Sequence, residues 1–159
     1  MLRSMKPRLY VETSVVSYLT ARPSNNVITA GRQQLTRRWW EDERGGYDLF
    51  ISEFVSSEAS GGDPGAARLR LDALVGVPEV TLPADAETLV RELVEPGPIP
   101  AKAALDASHI AAAVAGGADF LLTWNFKHLA NAALRKRIDQ ICRSRGYDPP
   151  VICTPDELF

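Results

Sequence analysis

The chain has 159 residues and a mass of 17.4 kDa, which predicts a single domain spanning residues 1–159. Its formal net charge of -2 excludes a polycation that binds nucleic acid through bulk charge alone. The charges are unevenly distributed, because residues 48–106 hold eleven acidic and four basic side chains. Residues 1–47 hold eight basic and four acidic side chains, and residues 107–159 hold six and five. An acidic middle segment therefore lies between two basic ends.

Short β-type runs alternate with helical segments along the chain. In chain order, the first predicted elements are a strand at Leu9–Val11, a helix at Ser14–Leu19, a helix from Asn25 or Asn26 to about Arg44, a strand at Tyr47–Ile51, a short helix capped by Ser52 and a helix from its cap Asp63 to about Val75. The later ones are a strand at Val80–Leu82, a helix from Asp85 to about Glu95, a helix at Lys102–Ala115, a strand at Phe120–Trp124, a helix at Ala132–Arg145, a strand at Val151–Ile152 and a terminal turn capped by Thr154. This alternation favours an α/β fold around a mostly parallel sheet, in which ligands bind beyond the carboxyl ends of the strands.

Cysteine content and hydropathy indicate the compartment. Cys142 and Cys153 are too few for a disulfide framework, and their spacing matches no common zinc pattern, so we expect free thiols in a reducing cytoplasm. Basic residues precede an apolar stretch at the start of the chain, as in a signal peptide, but Glu12 interrupts that stretch and no cleavage site follows. No apolar run approaches the ~20 residues of a membrane span. We therefore expect a cytoplasmic protein with no membrane partner.

Four polar residues lie at positions where the surrounding pattern is apolar. Glu12 directly follows the first predicted strand, and Asn125 directly follows the strand at Phe120–Trp124. Asp106 lies on the apolar face of its Ala-rich helix, and Glu58 shares a helix face with two apolar residues. A carboxylate on an apolar face is costly unless it is paired or binds a metal.

Each of these residues also has an ordinary structural interpretation. Glu12 or Asn125 would then cap the helix that follows it. Asp106 would pair with Lys102 or a neighbouring Arg, and Glu58 would be the solvated end of a short helix. Under a parallel-sheet fold, however, the four residues converge at one edge, and three carboxylates there would repel each other without a cation. Oxygen ligands of this kind suit Mg²⁺ or Mn²⁺, whereas the Cys and His spacing of a zinc site is absent from the sequence.

Four ordered segments resemble the PIN-domain nucleases, whose bacterial members include the VapC-type toxins. The segments are Tyr10–Ser14 (YVETS), Ser52–Glu58, Leu105–Ala113 (LDASHIAAA) and Asp119–Asn125 (DFLLTWN). Each motif is weak alone, but the ordered set covers nearly the whole chain and is fairly specific.

This resemblance implies a three-layer α/β/α PIN-like fold with a central parallel sheet. It also implies an acidic cluster that binds Mg²⁺ or Mn²⁺ and cleaves RNA. Carried over by position, the catalytic and metal-binding residues are Glu12, Glu58, Asp106 and Asn125. The small hydroxyl residues that support the site are Thr13 or Ser14, and Thr123.

Two of the four positions depart from the usual pattern of the family. The first acid is usually Asp, and Glu12 places its carboxylate about one bond length, ~1.5 Å, farther from the backbone. The fourth position is often Asp, whereas Asn125 offers a carbonyl ligand without charge and would hold a second cation more weakly. Glu53 is a rival for the second acid, but Glu58 shares the apolar helix face and is preferred.

The resulting hypothesis for the reaction is metal-assisted phosphodiester hydrolysis. Glu12, Asp106 and Asn125 would hold one cation that activates water, and Glu58 would bind a second cation or act as general base. His109, three residues after Asp106, is assigned to packing or to the helix surface rather than to catalysis. Core packing is likewise favoured for Trp124 over base stacking.

An acidic site needs cationic flanks to hold a polyanionic substrate. The predicted substrate-binding residues are Lys127, His128, Arg135, Lys136 and Arg137. A second candidate group comprises Arg22, Arg32, Arg37 and Arg38. A simple solvated helix face is the alternative for both groups.

The sequence thus favours a Mg²⁺/Mn²⁺-dependent ribonuclease. If this ribonuclease is the toxin of a toxin–antitoxin pair, its partner is an antitoxin protein. The alternative is a nucleic-acid-binding module of the same fold whose site is weakened by Glu12 and Asn125. A phosphate-accepting domain of the response-regulator type is disfavoured, because no Asp at a strand end is followed by a distal Lys at another strand end.

Adjacent tryptophans on the long second helix predict a homodimer. One of Trp39 and Trp40 can enter the core, and the other is then partly exposed. Sedimentation at micromolar concentration is expected to give about twice the 17.4 kDa mass of the chain. A monomer under those conditions contradicts the prediction.

Overall fold

The computed structural model describes residues 5–159, so the start of the signal-peptide comparison, residues 1–4, lies outside the described residues. The strands are β1 (Arg8–Val11), β2 (Asp48–Ser52), β3 (Glu79–Val80), β4 (Phe120–Leu122) and β5 (Val151–Cys153). The α-helices are α1 (Thr13–Thr20), α2 (Val27–Arg38), α3 (Glu53–Ala59), α4 (Pro64–Ala73), α5 (Glu87–Leu93), α6 (Ala104–Ala115) and α7 (Ala132–Ser144). The predicted alternation of strands and helices is confirmed.

All strand pairs of the sheet are parallel, in the order β3-β2-β1-β4-β5. Central β1 pairs on both sides, so that Leu9 lies opposite Leu49 of β2 and Phe120 of β4. The chain steps from β1 to β3 in one direction and then crosses to β4 and β5 in the other. Right-handed crossovers therefore place α1–α4 on one face and α5–α7 on the other. The predicted three-layer α/β/α architecture is confirmed.

The central strands are buried on both faces, which explains their continuous apolar sequences. Leu9, Tyr10 and Val11 of β1 are fully buried, and so are Leu121 and Leu122 of β4. On α6 the small Ala side chains allow the helix to pack closely against the sheet, and a run of six residues from His109 to Val114 is buried. The core thus surrounds the first and fourth strands, whose ends carry the predicted site residues.

Side-chain caps begin several helices where the sequence predicts them. The Asn26 side chain accepts from the Thr29 amide, and the Asp63 side chain accepts from the Ala66 amide. A capping box between Thr154 and Glu157 begins the last turn. These short-range hydrogen bonds satisfy amides that the helix itself leaves unpaired.

The second helix differs from its prediction near its end. The regular α-helix ends at Arg38, and a wider π-helical turn spans Trp39–Glu43. Trp39 is fully buried and packs against Tyr47, whereas Trp40 is half-buried beneath the Arg44 guanidinium, 4.2 Å from its ring. The predicted division between the two tryptophans is confirmed, and the homodimer stays a prediction.

Strand β4 is shorter than predicted: the Thr123 amide still donates to the Cys153 carbonyl of β5, but the strand pairing stops at the next residue. The Trp124 amide donates to Ser14 Oγ over 2.8 Å rather than to a neighbouring strand.

Within residues 5–159, no helix combines the length and apolar character needed to cross a membrane.

Candidate functional site

The carboxyl ends of three neighbouring strands meet at one edge of the sheet. Glu12 follows β1, Ser52 ends β2, and Thr123 follows β4. Strand order reverses at β1, because the chain leaves it toward β2 and later returns on its other side at β4. Such a reversal opens a crevice beyond the carboxyl ends of a parallel sheet, which is where ligands bind in this class of fold.

Glu12 is a buried carboxylate whose charge is satisfied by hydrogen-bond donors. Its side chain caps α1 by accepting from the Ser14 amide over 2.9 Å, and only 5% of the residue is exposed. The hydroxyls of Ser14 and Thr123 each donate to Oε1 over 2.5 Å. The capping interpretation of Glu12 is therefore confirmed, and two of the predicted supporting residues contact its carboxylate.

Glu58 extends from α3 toward the same place. Thr13 donates its hydroxyl to Glu58 Oε1 over 2.8 Å, and His109 Nε2 lies 2.5 Å from the same oxygen. Glu58 is exposed, with 34% of its side chain accessible to solvent, as expected for the solvated end of a short helix. Burial raises the pKa of the Glu58 carboxyl, but the hydrogen bond and the electrostatic interaction with His109, together with the hydrogen bond from Thr13, lower it by more, and the net pKa lies below its ordinary value.

Glu12, Glu58 and His109 form one compact group. Each offers a ligand atom, and these atoms lie within 4.8 Å of one another. Within residues 5–159, this is the one such group of three or more Asp, Glu, His or Cys side chains. Two carboxylates held this close, one buried and one with a lowered pKa, form a donor set that fits a hard divalent cation.

Asp106 lies outside that group, in the first turn of α6. Its Oδ2 lies 2.8 Å from His128 Nδ1, and both side chains are largely buried. The sequence allowed a pairing with Lys102 or an Arg, and the structure gives His128 instead, because the turn after β4 folds back over the start of α6. Contact of His128 with substrate, which the sequence predicts, stays a prediction.

Asn125 uses its side chain to order the turn after β4. Its Oδ1 accepts from the amides of Lys127 and His128, each over 3.1 Å. The predicted helix cap at Asn125 is wrong, because a turn follows it and Asn131 caps the next helix, α7. The same turn delivers His128 to Asp106. The structure therefore brings Glu12 and Glu58 together and links Asn125 to Asp106 through His128. The convergence of all four around a cation stays a prediction.

The predicted cationic rim divides into two kinds of side chain. Lys127, Lys136 and Arg137 are exposed. Arg135 is half-buried and donates to the Ile152 carbonyl over 3.0 Å, which ties α7 to β5, and the exposed Arg137 donates to the Pro96 carbonyl over 3.2 Å. In the second candidate group, Arg32 lies 4.6 Å above the Phe126 ring.

Trp124 is a core residue, as the sequence favours. It is 6% exposed, and its indole Nε1 donates to the Thr36 hydroxyl over 2.8 Å. A cavity of about 620 Å³ between the end of α1 and the start of α4 is lined by Arg22 of the second cationic group, but by none of the four predicted metal-binding residues. The acidic group accordingly lies at an open edge of the sheet rather than in that cavity.

Three polar residues of the site escape the sequence reasoning. His109 is 1% exposed, and both of its ring nitrogens have partners: Nε2 contacts Glu58, and Nδ1 lies 2.7 Å from the Tyr10 hydroxyl. Tyr10 in turn contacts Ser52 Oγ over 2.7 Å. A usable signal was present, since a buried imidazole and a buried phenol within apolar runs require polar partners.

Comparisons with known proteins give a likeness in structure but none in sequence. No protein-family model matches the sequence, and no curated protein sequence matches it. The fold resembles a crystal structure of VapBC2 from Rickettsia felis bound to a DNA fragment from their promoter, with 14% identity and a TM-score of 0.49. The alignment covers 92% of this chain and 97% of that one. At this identity and TM-score the likeness assigns neither a family nor an activity to the chain.

The lowered pKa of Glu58 predicts a specific acid sensitivity. A carboxylate whose folded pKa is below the ordinary value of 4.5 stabilises the fold fully above pH 4.5, and that contribution is lost as pH falls through the lower, folded pKa. The free energy of unfolding, measured with urea from about pH 6 to about pH 3, is expected to fall more steeply in the wild type than in Glu58→Gln. The exposed Glu79→Gln is the control and should keep the wild-type slope. Equal slopes for the wild type and Glu58→Gln would contradict the assignment.

Proposed function

We propose that this chain is a Mg²⁺- or Mn²⁺-dependent endoribonuclease that hydrolyses RNA phosphodiester bonds. The observation that carries the proposal is the convergence of the Glu12 and Glu58 carboxylates at the carboxyl edge of a parallel sheet. Within residues 5–159, the hydrogen bonds of these two carboxylates involve hydroxyls, an amide and an imidazole rather than Lys or Arg. The ordered motifs shared with PIN-domain nucleases support the same activity.

Glu12 and Glu58 would hold the cation in this proposal, with Asp106 and Asn125 as the further predicted ligands. When bound, a divalent cation lowers the pKa of water and offsets the charge that develops on the phosphate. Ser14 and Thr123 fix the Glu12 carboxylate, so its oxygens are preorganised. The lowered pKa of Glu58 makes it a weak base at neutral pH, which favours its role as a ligand over general-base catalysis.

The surroundings of the site suit an extended polyanion. The exposed Lys127 lies two residues after Asn125, and the exposed Lys136 and Arg137 lie on the following helix. Cations outside an acidic site attract the phosphate backbone, whereas the acids themselves would repel it. In this proposal RNA lies across the edge of the sheet, and its scissile phosphate faces Glu12.

A toxin role in a toxin–antitoxin pair, with an antitoxin protein as partner and a homodimer as the assembly, belongs to the same proposal. Its support is the sequence resemblance to VapC-type toxins. Expression of the wild type is then expected to arrest growth of a host cell, and expression of Glu58→Gln is not. Growth unaffected by a wild-type chain that cleaves RNA in vitro would remove the toxin role and leave the nuclease.

One observation favours a second candidate, an RNA-binding module without catalysis. Asp106 is occupied by His128, and the Asn125 carbonyl oxygen is occupied by two backbone amides. If these contacts persist when RNA binds, Glu12 and Glu58 are the remaining carboxylates for a cation. Tight RNA binding without cleavage in Mg²⁺ or Mn²⁺ would favour this module.

Titration of Mn²⁺ against a labelled RNA pool tests the enzyme directly. Cleavage is expected to require the metal and to fall by at least about 10–100-fold in Glu58→Gln, since loss of a ligand should cost no less than loss of one of its supporting partners. Asp106→Asn is expected to abolish cleavage as well. Glu53→Gln is the matched control, because Glu53 is on the same helix but accepts from the Leu82 amide, away from Glu12. Metal-independent cleavage, or equal loss in the control, would contradict the site.

A further inference from the structure

A buried chain of hydrogen bonds runs from the start of α3 to Glu58. The Phe54 amide donates to Ser52 Oγ over 3.2 Å, and Ser52 Oγ lies 2.7 Å from the Tyr10 hydroxyl. The Tyr10 hydroxyl lies 2.7 Å from His109 Nδ1, and His109 Nε2 lies 2.5 Å from Glu58 Oε1. The residues in the middle of this chain are essentially inaccessible to water, since Ser52 and Tyr10 are 0% exposed and His109 is 1% exposed.

The two ends of the chain fix its direction. A backbone amide can only donate, and an ionised carboxylate can only accept. Ser52 therefore accepts from Phe54 and donates its own hydrogen to Tyr10, which donates to His109 Nδ1. The hydrogen of His109 is then on Nε2, where it is donated to Glu58. Every donor in the series has an acceptor.

The opposite arrangement leaves a buried donor without a partner. If His109 Nδ1 carried a hydrogen, Tyr10 would accept it and donate toward Ser52. The Ser52 hydroxyl hydrogen would then have no acceptor among the hydrogen bonds of residues 5–159. An unsatisfied buried donor costs more than an ordinary hydrogen bond contributes, so the first arrangement is preferred. Burial also raises the pKa of the Tyr10 phenol, which keeps its hydrogen available for donation.

The chain also selects one oxygen of Glu58. The hydrogen bonds from Thr13 and His109 both fall on Oε1, so Oε2 is left for another ligand. His109 has no nitrogen left for a metal, because Tyr10 and Glu58 engage both ring nitrogens. His109 therefore lies in the compact group because it contacts the Glu58 carboxylate, and not because it binds the metal itself.

We propose that His109 is a positioning residue, held as the Nε2–H tautomer by Tyr10, which fixes Glu58 Oε1 and directs Oε2 toward the cation site. Its catalytic consequence rests on the proposed nuclease function, whereas the tautomer and the hydrogen-bond chain do not. In this proposal Tyr10 and Ser52 take no part in the reaction and act by holding the tautomer of His109.

Nuclear magnetic resonance of ¹⁵N-histidine-labelled protein at neutral pH tests the chain without any activity assay. The expected result is the Nε2–H tautomer for His109 in the wild type and a shifted Nδ1 resonance in Tyr10→Phe, which loses only the hydroxyl. Tyr47→Phe is the matched control, because Tyr47 precedes β2 at the other end of the sheet and should leave His109 unchanged. A hydrogen on Nδ1 in the wild type overturns the proposal, whatever the activity of the protein.

Kinetics then test the positioning role. His109→Leu is expected to lower kcat for RNA cleavage by about 10–100-fold with little change in KM, as for other partners that orient a metal ligand. His109→Gln keeps a donor near the Nε2 position and is expected to recover part of kcat. Equal activity of His109→Leu and the wild type, or a loss in both variants that matches their loss of folded protein by circular dichroism, overturns the role.

Mn²⁺ binding to the same variants separates this inference from the nuclease proposal. Two results together would support the positioning role and reject the nuclease: the wild type cleaves no RNA, and Mn²⁺ binds more weakly to His109→Leu than to His109→Gln. Mn²⁺-dependent cleavage that is unaffected in both His109 variants would support the nuclease and reject the positioning role.

Discussion

The carboxylate of Glu12, removed from water at the end of the central strand, is the constraint on which the site depends. A buried charge is costly unless donors surround it, and here the donors come from Ser14 and Thr123. Those contacts join the end of β1, the start of α1 and the end of β4. The Ser14 hydroxyl also accepts from the Trp124 amide, so the turn after β4 is held to the same centre.

A second buried network ends at Glu58, next to the Glu12 network. It reaches Glu58 through His109 of α6 and Thr13 of α1, and so links helices on opposite faces of the sheet. The two networks approach each other at the two carboxylates, which share no hydrogen bond of their own. A polar arrangement of this kind, fully supplied with partners, is rigid, because any member that moves leaves a buried group unsatisfied. The fold thus presents two preorganised carboxylates where strand order reverses.

Local sequence signals predicted the fold well, because the deciding interactions are short in range. Caps such as Asn26 and Asp63 are read within three residues, and buried strands such as Phe120–Leu122 show as apolar runs. The π-helical turn at Trp39–Glu43 was not predicted, because its cause is the burial of Trp39 against the distant Tyr47. Likewise, β4 ends early because Ser14, far away in sequence, takes the Trp124 amide.

The sequence predicted which residues stand at the strand ends, but not the contacts of their side chains. Glu12 follows β1, as the apolar run before it predicts. His109 was assigned to packing, since its partners Tyr10 and Glu58 lie 99 and 51 positions away in sequence. The pairing of Asp106 with His128 similarly depends on the turn that Asn125 orders. Uneven charge along the chain pointed to acids within a basic border, yet only the fold shows which acids meet.

The central claim is that Glu12 and Glu58 together bind a divalent cation. Anomalous diffraction from a crystal soaked in Mn²⁺ measures this most directly, because the peak locates the ion without reference to activity. The account predicts a peak in contact with both the Glu12 and Glu58 carboxylates, which disappears in crystals of Glu58→Gln. A peak bound only at Asp106 and His128, or no peak near Glu12 at saturating Mn²⁺, would contradict it.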